Sequence, residues 1–492
     1  MKRLIPFLPV LLVVLTACPK KDHIDEPKPD NTSAVVSEFV YDGMSTYYLW
    51  ADLMVNKKPT AANTDPEAYF ESVLSPIDRE HGWSWITNDV DALFADFAGT
   101  PKDFGWSLSF LRLSEQTFVA VVKYVFPNTP AAQAGITRGN IIDKIGGASI
   151  TTSNIGQLFE TNTISINVNN QNFANPRTVS ITPITIQTNP VLVDSVYKDR
   201  PEFAGKKIGY LFYTNFIAGF NPQLYNSFAD FKAQGVTDLI IDLRYNHGGD
   251  GSAATYLASL IAPRADVENK KPFTKLTFNS FLNGIFERSG GGIVDSLGVV
   301  GGITPLNANL NLNKVYIIAT DDSYSAAELL TFCLRPYMQV VHIGSNTGGK
   351  FTASFTVHAY NDYDGTINTV YRSESLSSAE KNALKTWAMQ PIVAKYADGT
   401  GKDFENPGYL VPDIPVTSIE NQPSAWKSIG STDDYLLARA IAEITGLPVP
   451  ASADVNTAPR SVYKFSRTNI SSPRDNRLKE SVRLGPLPLR VK

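Results

Sequence analysis

Thr237-Asp238-Leu239-Ile240-Ile241-Asp242-Leu243-Arg244-Tyr245-Asn246-His247-Gly248-Gly249 is the stretch on which the fold turns. Leu239 to Leu243 is a short apolar run broken only by Asp242, and it reads as a strand buried on both faces. The paired glycines at its end let the main chain approach a ligand closely. Their N–H groups can also serve an oxyanion. Working outward, Ser252 to Ala262 reads as a helix and Lys314 to Thr320 as a strand. Ser325 to Arg335 reads as a helix stopped by Pro336, and Gln339 to Gly344 as another strand. Strand, helix, strand, helix, strand predicts an α/β domain with a parallel-rich sheet and covering helices.

Two further segments sit at strand ends. Ser323-Tyr324-Ser325-Ala326-Ala327-Glu328 lies between a strand and a helix. A serine there stands at the sheet's edge with helix N–H groups nearby. The plain alternative is a serine that only caps the helix. Gly344-Ser345-Asn346-Thr347-Gly348-Gly349-Lys350 follows the next strand. It fits the phosphate-loop text G-x-x-x-x-G-K. Phe351, however, stands where Ser or Thr should hold magnesium, and 351–360 reads as strand rather than helix, so nucleotide binding is not expected. The plain alternative for Lys350 is a solvated surface lysine.

Together these segments resemble the C-terminal processing (tail-specific) peptidases, whose motifs are D-L-R-x-N-x-G-G, S-A-S/A-E and G-x-x-T-x-G-K. Here they are Asp242–Gly249, Ser325–Glu328 and Gly344–Lys350, and the 25-residue step from Ser325 to Lys350 is the family spacing. Gly408-Tyr409-Leu410-Val411-Pro412-Asp413 looks like the family's downstream G-x-x-x-P-D element. The resemblance covers roughly residues 100–446. It implies an α/β core of the Clp protease/crotonase type and a serine endopeptidase with a Ser/Lys dyad.

In that frame Ser325 attacks the carbonyl and neutral Lys350 takes its proton, which requires a lysine pKa lowered by burial or neighbours. The N–H of Ala326 and that of Gly248 or Gly249 would hold the oxyanion. Glu328 would orient the site. The family often places Gln four residues after the lysine; Ser354 stands there instead and would be the shorter supporting group. No metal or cofactor is implied. His247 invites a Ser/His reading, but no orienting acid is evident in the sequence. A second reading of the whole chain is a non-catalytic peptide- or lipid-binding lipoprotein on the same fold.

Upstream, Pro130-Ala131-Ala132-Gln133-Ala134-Gly135 through Ile145-Gly146-Gly147 resembles the second half of a PDZ domain. Its carboxylate-binding loop would be Phe104-Gly105-Trp106-Ser107-Leu108, with a peptide adding as a strand. Residues 99–190 are therefore expected as a PDZ-like, β-rich domain, followed by the peptidase domain over 191–446. The partners implied are polypeptides with a free C-terminus. Residues 34–98 carry helical periodicity and are expected as a small helical domain, with Tyr47, Tyr48, Trp50, Trp83 and Trp85 as core. The segment Asn269 to Asn313, rich in Gly and Asn, reads as a lid.

The ends carry other signals. Lys2 and Arg3 precede an apolar run, Leu4 to Leu15, too short to span a membrane and right for a signal-peptide core over 1–17. Leu15-Thr16-Ala17-Cys18 resembles a bacterial lipobox, making Cys18 the expected lipid attachment site and 18–33 a tether. Pro19-Lys20 lacks the Asp that often retains lipoproteins in the inner membrane, so outer-membrane placement in the cell envelope is the expectation. Residues 447–492 read as a basic mobile tail, with nine Lys/Arg against three Asp/Glu from Ala451 onward.

Composition sets the bounds. The chain has 492 residues, with 44 Lys+Arg against 48 Asp+Glu, so no basic field argues for nucleic acid. Hydrophobic residues at 43% and charged residues at 19% suit a chain that buries a core, which excludes global disorder. Two cysteines, Cys18 and Cys333, exclude a disulfide scaffold and the common Cys-rich zinc sites.

Overall fold

The computed structural model describes residues 32–199, 203, 205–289, 293–299, 301–360, 368–450, 466–468 and 482–484. The run read as a signal peptide, Cys18 and most of the segment read as a tether lie outside the described residues.

The chain begins with helices α1 (Thr32–Tyr47), α2 (Pro66–Val73) and α3 (Pro76–His81), strand β1 (Trp85–Thr87) and helix α4 (Val90–Phe97). Local signals set the helix starts. Asp65 accepts the N–H groups of Glu67 and Ala68, Ser75 accepts that of Asp78, and Asp89 that of Ala92. Proline at the first turn of α2 and α3 costs no hydrogen bond there. This region is mostly helical, as expected, but its main core is not its own. Tyr47 meets Phe355 edge-on at 5.4 Å, and Trp83 meets Phe351 at 5.6 Å. Val36, Phe39 and Phe70 join one buried cluster with residues of the downstream α/β core. Periodicity shows that a helix has a buried face; it does not show what that face meets.

An antiparallel sheet follows: β2 (Trp106–Arg112), β3 (Phe118–Val125), β4 (Ile141–Ile145), β5 (Ile164–Asn169) and β6 (Arg177–Ile181), in sequential order. Its separate core includes Phe104, Leu108, Phe110, Val122, Ile142 and Ile166.

The α/β core comprises β7 (Val191–Tyr197), β8 (Ile208–Tyr213), α5 (Asn221–Ala233), β9 (Asp238–Asp242), α6 (Gly251–Ile261), β10 (Pro272–Phe278), β11 (Lys314–Ala319), α7 (Ala326–Cys333), β12 (Gln339–Gly344), β13 (Thr352–Ser354), β14 (Ala388–Gln390), β15 (Ile392–Asp398), β16 (Ile414–Pro415) and α8 (Tyr435–Thr445). The central sheet runs β7-β8-β9-β11-β12-β16, parallel from β8 onward, with β7 antiparallel at one edge. Its inner strands are apolar on both faces because both faces are covered. Asp242 pairs with Ile318, and Ala319 with Gly344, so three neighbouring strands end almost level. The loops leaving those carboxyl ends carry the three motifs, the usual position for a ligand crevice in an open α/β sheet. A second sheet places β15 between β10 and β13.

One expectation changes. The segment read as a lid is largely folded in: β10 pairs with β15, and Leu282, Phe286 and Leu297 are buried. Its Gly and Asn residues mask a regular strand and a helix, Ser280–Ser289. Beyond residue 450 the described residues form two short strands, β17 (Ser466–Thr468) and β18 (Val482–Arg483).

Candidate active site

Ser325 sits at the N-cap of α7 with φ +59° and ψ −112°, a backbone conformation that a residue bearing Cβ rarely adopts. Its neighbours hold it there. Its N–H donates to Glu328 Oε2 at 2.8 Å, and its carbonyl receives the N–H of Leu329 at 2.7 Å. Glu328 stands at the third helical position, where a carboxylate reaches back to the cap. The Ser325 hydroxyl itself is buried without a hydrogen-bond partner. The capping contacts are therefore made by main chain and Glu328, and Oγ is left for other use.

Gly248 explains why glycine stands opposite. Its φ is +102°, and a Cβ there would lie 2.7 Å from Ser325 Cβ and 3.0 Å from Oγ. Of the two glycines offered for the oxyanion, Gly248 has its N–H engaged by Asn246 Oδ1 at 2.8 Å. Between the two expected glycines this favours Gly249.

The lysine loop is fastened to the same helix. Glu328 accepts from Gly349 N–H through Oε1 and from Lys350 N–H through Oε2, each at 2.8 Å, and from the Thr347 hydroxyl. Burial pushes the Glu328 carboxyl up from its usual value, against these hydrogen bonds, which pull it down. The Tyr396 hydroxyl lies 3.2 Å from the carbonyl oxygens of both Ser325 and Lys350. Lys350 is 1% exposed, so the surface-lysine alternative fails. The Gly408–Asp413 element braces the loop: Leu410 N–H donates to Thr347 Oγ1, and Asp413 accepts from His342 N–H.

Ser354, in β13, has its hydroxyl bonded by Gln390 Nε2 at 3.2 Å. Gln390, in β14, also accepts from the Thr356 hydroxyl through Oε1 at 2.9 Å, so it ties Ser354 to the strand beyond it. Asp242 and Arg244 are architectural. Arg244 is wholly buried and bonds Asp242 and Asp434, the latter through both terminal nitrogens at 2.7 and 2.8 Å. Burial would raise the Asp434 carboxyl, but Arg244 overrides it and holds it below the usual range.

His247 does have an acid: its Nε2 lies 3.1 Å from Asp322 Oδ1. The other Asp322 oxygen accepts from Lys123 Nζ at 2.8 Å, and Lys123 comes from β3 of the upstream sheet. The acid is 75 residues from His247, which is why the sequence did not reveal it. His247 makes no hydrogen bond to Ser325 Oγ, which has no partner.

The expected carboxylate loop is partly different. Gly105 takes φ +92°, and a Cβ there would strike Thr129. Its N–H, however, is held by Asp103 Oδ1 at 2.6 Å. Trp106, Ser107 and Leu108 are already in β2, and Phe104 is core. Sequence reasoning missed Tyr396, Asp322, Lys123 and Gln390. Each acts across a long sequence separation without a local motif.

The profile of peptidase family S41 matches residues 207–416, and that of the peptidase S41 N-terminal domain matches residues 36–85. A carboxyl-terminal-processing protease of Picosynechococcus sp. is 26% identical over 344 residues, covering 68% of this chain and 69% of its own. A chloroplastic C-terminal processing peptidase of Tetradesmus obliquus is 23% identical over 356 residues, covering 70% and 71%. A solved structure from Bacteroides fragilis, described as an S41 protease, superposes with TM-score 0.62 at 23% identity. It covers 83% of this chain and 97% of that one, and so shares the fold. The chain is thus a serine-type peptidase of the Ser/Lys kind, similar to peptidase family S41 over residues 207–416 and to that family's N-terminal domain over residues 36–85.

Proposed function

We propose that Ser325 is the nucleophile and Lys350 its general base, in an endopeptidase that engages polypeptides through their C-terminal region. One observation carries this: a single carboxylate, Glu328, fixes the main chain of both residues while the Ser325 hydroxyl stays unengaged. Neutral Lys350 takes the hydroxyl proton as Oγ bonds the substrate carbonyl carbon. The oxyanion lies against the N–H groups of Ala326 and Gly249. The resulting ammonium returns the proton to the leaving amine, and water releases the acyl group by the same route. Gln390 steadies Ser354 in the strand that leaves Lys350. The test is hydrolysis of an unfolded protein together with a serine-reactive phosphonate probe. Wild type should cut and label, and Ser325→Ala should do neither; labelling retained in Ser325→Ala would remove the nucleophile assignment.

Recognition of the C-terminal region is supported by the two relatives named for carboxyl-terminal processing and by the PDZ-like strand β2. With Asp103 on Gly105, strand addition to β2 supplies more of the binding than a carboxylate nest. Peptides with a free carboxylate should still be cut faster than their amides; equal rates would confine recognition to the strand. The lipobox-like Leu15–Cys18 supports anchoring in the cell envelope, with outer-membrane placement. Cys18→Ser should leave the membrane fraction or accumulate as precursor, and an unchanged fraction and mass would end that reading.

A further inference from the structure

The outer edge of β2 would stand open were it not paired with β17, a piece of the C-terminal tail. The pairing is antiparallel: Ser466 with Arg112, Arg467 with Leu111, Thr468 with Phe110. The tail therefore runs toward the Gly105 turn, the direction in which a polypeptide's C-terminal end would approach it. An open edge strand presents unpaired N–H and C=O groups that accept any extended chain.

The same tail reaches the catalytic core. Val482 and Arg483 pair in parallel with Ala353 and Ser354, and Leu484 N–H donates to Ser354 oxygen at 2.9 Å. Those partners lie three and four residues beyond Lys350. Leu484 packs against the main core cluster, which includes Phe351. Only 13 residues lie between Thr468 and Val482, a reach of at most about 50 Å when extended. One segment thus lies along both the peptide-docking edge and the strand leaving the general base. Being part of the same chain, it competes at high effective concentration.

We propose that the edge of β2 is a strand-docking surface whose resident ligand is the chain's own Ser466–Thr468 segment, and that incoming polypeptides must displace it. This deepens the peptide-binding reading of the PDZ-like unit and rests on it. The tail's composition suits an exchangeable ligand. From Ala451 it carries nine Lys/Arg against three Asp/Glu, with several prolines, and is too polar to form a core of its own.

The test uses the full chain with Arg467→Pro and Thr468→Pro together. N–H groups of successive strand residues point to opposite sides, so one of the two removed groups faced β2 whatever the register. Two readouts are taken in a Ser325→Ala background, so neither depends on cleavage. Hydrogen exchange should quicken at least about tenfold at those Phe110–Arg112 amides that face the tail. A fluorescent peptide spanning Tyr463–Ser472 should bind the double variant at least about tenfold more tightly than the chain with its tail intact. Unchanged exchange with unchanged affinity would overturn the proposal. Faster exchange without peptide binding would overturn it too, because the edge would then be no docking surface. Both shifts, even with no hydrolysis by the Ser325-bearing protein, would support it and place the failure in the catalytic assignment.

Discussion

Ser325 and Lys350 hang from one carboxylate: Glu328 Oε2 lies 2.8 Å from the main-chain nitrogen of each. Four donors converge on this buried side chain, two of them on Oε1. A carboxylate can accept all four, whereas an amide must turn an NH2 toward two of them. Glu328→Gln should cut kcat by about 10²-fold or more, with a stability loss of about 1–3 kcal/mol for the unsatisfied donors. Peptide hydrolysis and urea denaturation check the two parts separately.

Lys350 and Ser325 should fail as a unit. Lys350→Ala and Ser325→Ala should each abolish hydrolysis, and the double variant should be no worse, because members of one catalytic unit are not additive. Lys350→Arg should also be inactive, since arginine keeps its proton. His247→Ala should keep a measurable part of the activity, as its ring nitrogen is bound to Asp322 rather than to the nucleophile. Abolition by His247→Ala with survival of Lys350→Ala would transfer the base role to histidine.

Gly248→Ala should be inactive while remaining folded. The added methyl would fall 2.7 Å from Ser325 Cβ, at a φ of +102° that disfavours any side chain. Circular dichroism should show retained secondary structure, and the serine-reactive probe should no longer label.

What the sequence revealed follows from locality. Leu239–Leu243 declared a buried strand because both faces were apolar, and Ser325 with Glu328 carried a capping text readable at three residues' distance. The lysine loop was legible because its glycines and Lys350 are contiguous. Tyr396, 71 residues from Ser325, and Lys123, 199 residues from Asp322, carry no such mark. Their roles arise where separate strands meet, and a tyrosine in an apolar strand reads only as core. The segment read as a lid misled for a related reason. Gly, Asn and Pro content reports local chain freedom, whereas pairing with a distant strand edge overrides it.

Lys123 should couple the two units that its ion pair joins. Lys123 and Asp322 are nearly buried, so removing one partner strands the other's charge, at about 3–5 kcal/mol. Lys123→Met should therefore lower stability by roughly that range and disturb the turn before Ser325. Lys123→Met with Asp322→Leu should recover part of the stability but less of the activity, because the turn before Ser325 still lacks the ion pair that held it. Thermal denaturation and kcat, measured on both variants, distinguish packing from positioning.

His342 sets a pH window. It is buried in β12 with Nδ1 unpartnered, and Nε2 lies 3.2 Å from the Ala319 carbonyl oxygen. Burial, with Arg335 adding to it, lowers its pKa below the ordinary value. The unfolded chain, titrating near roughly 6.5, then binds more protons than the folded one just below that pH. Stability contributed by neutral His342 is thus full above about pH 6.5 and falls as pH drops toward the lowered folded value. Asp434 acts lower: its depressed carboxyl contributes stability above the usual carboxylate pKa, lost as pH falls through its folded value. Glu328, raised by burial, has the opposite sign, since its folded form holds its proton to higher pH. Subtracting a His342→Gln variant from wild type cancels both carboxylates and isolates the histidine. Urea midpoints should fall more for wild type than for His342→Gln between pH 7.5 and 5.5. Parallel slopes for the two would show that His342 takes its proton as readily folded as unfolded.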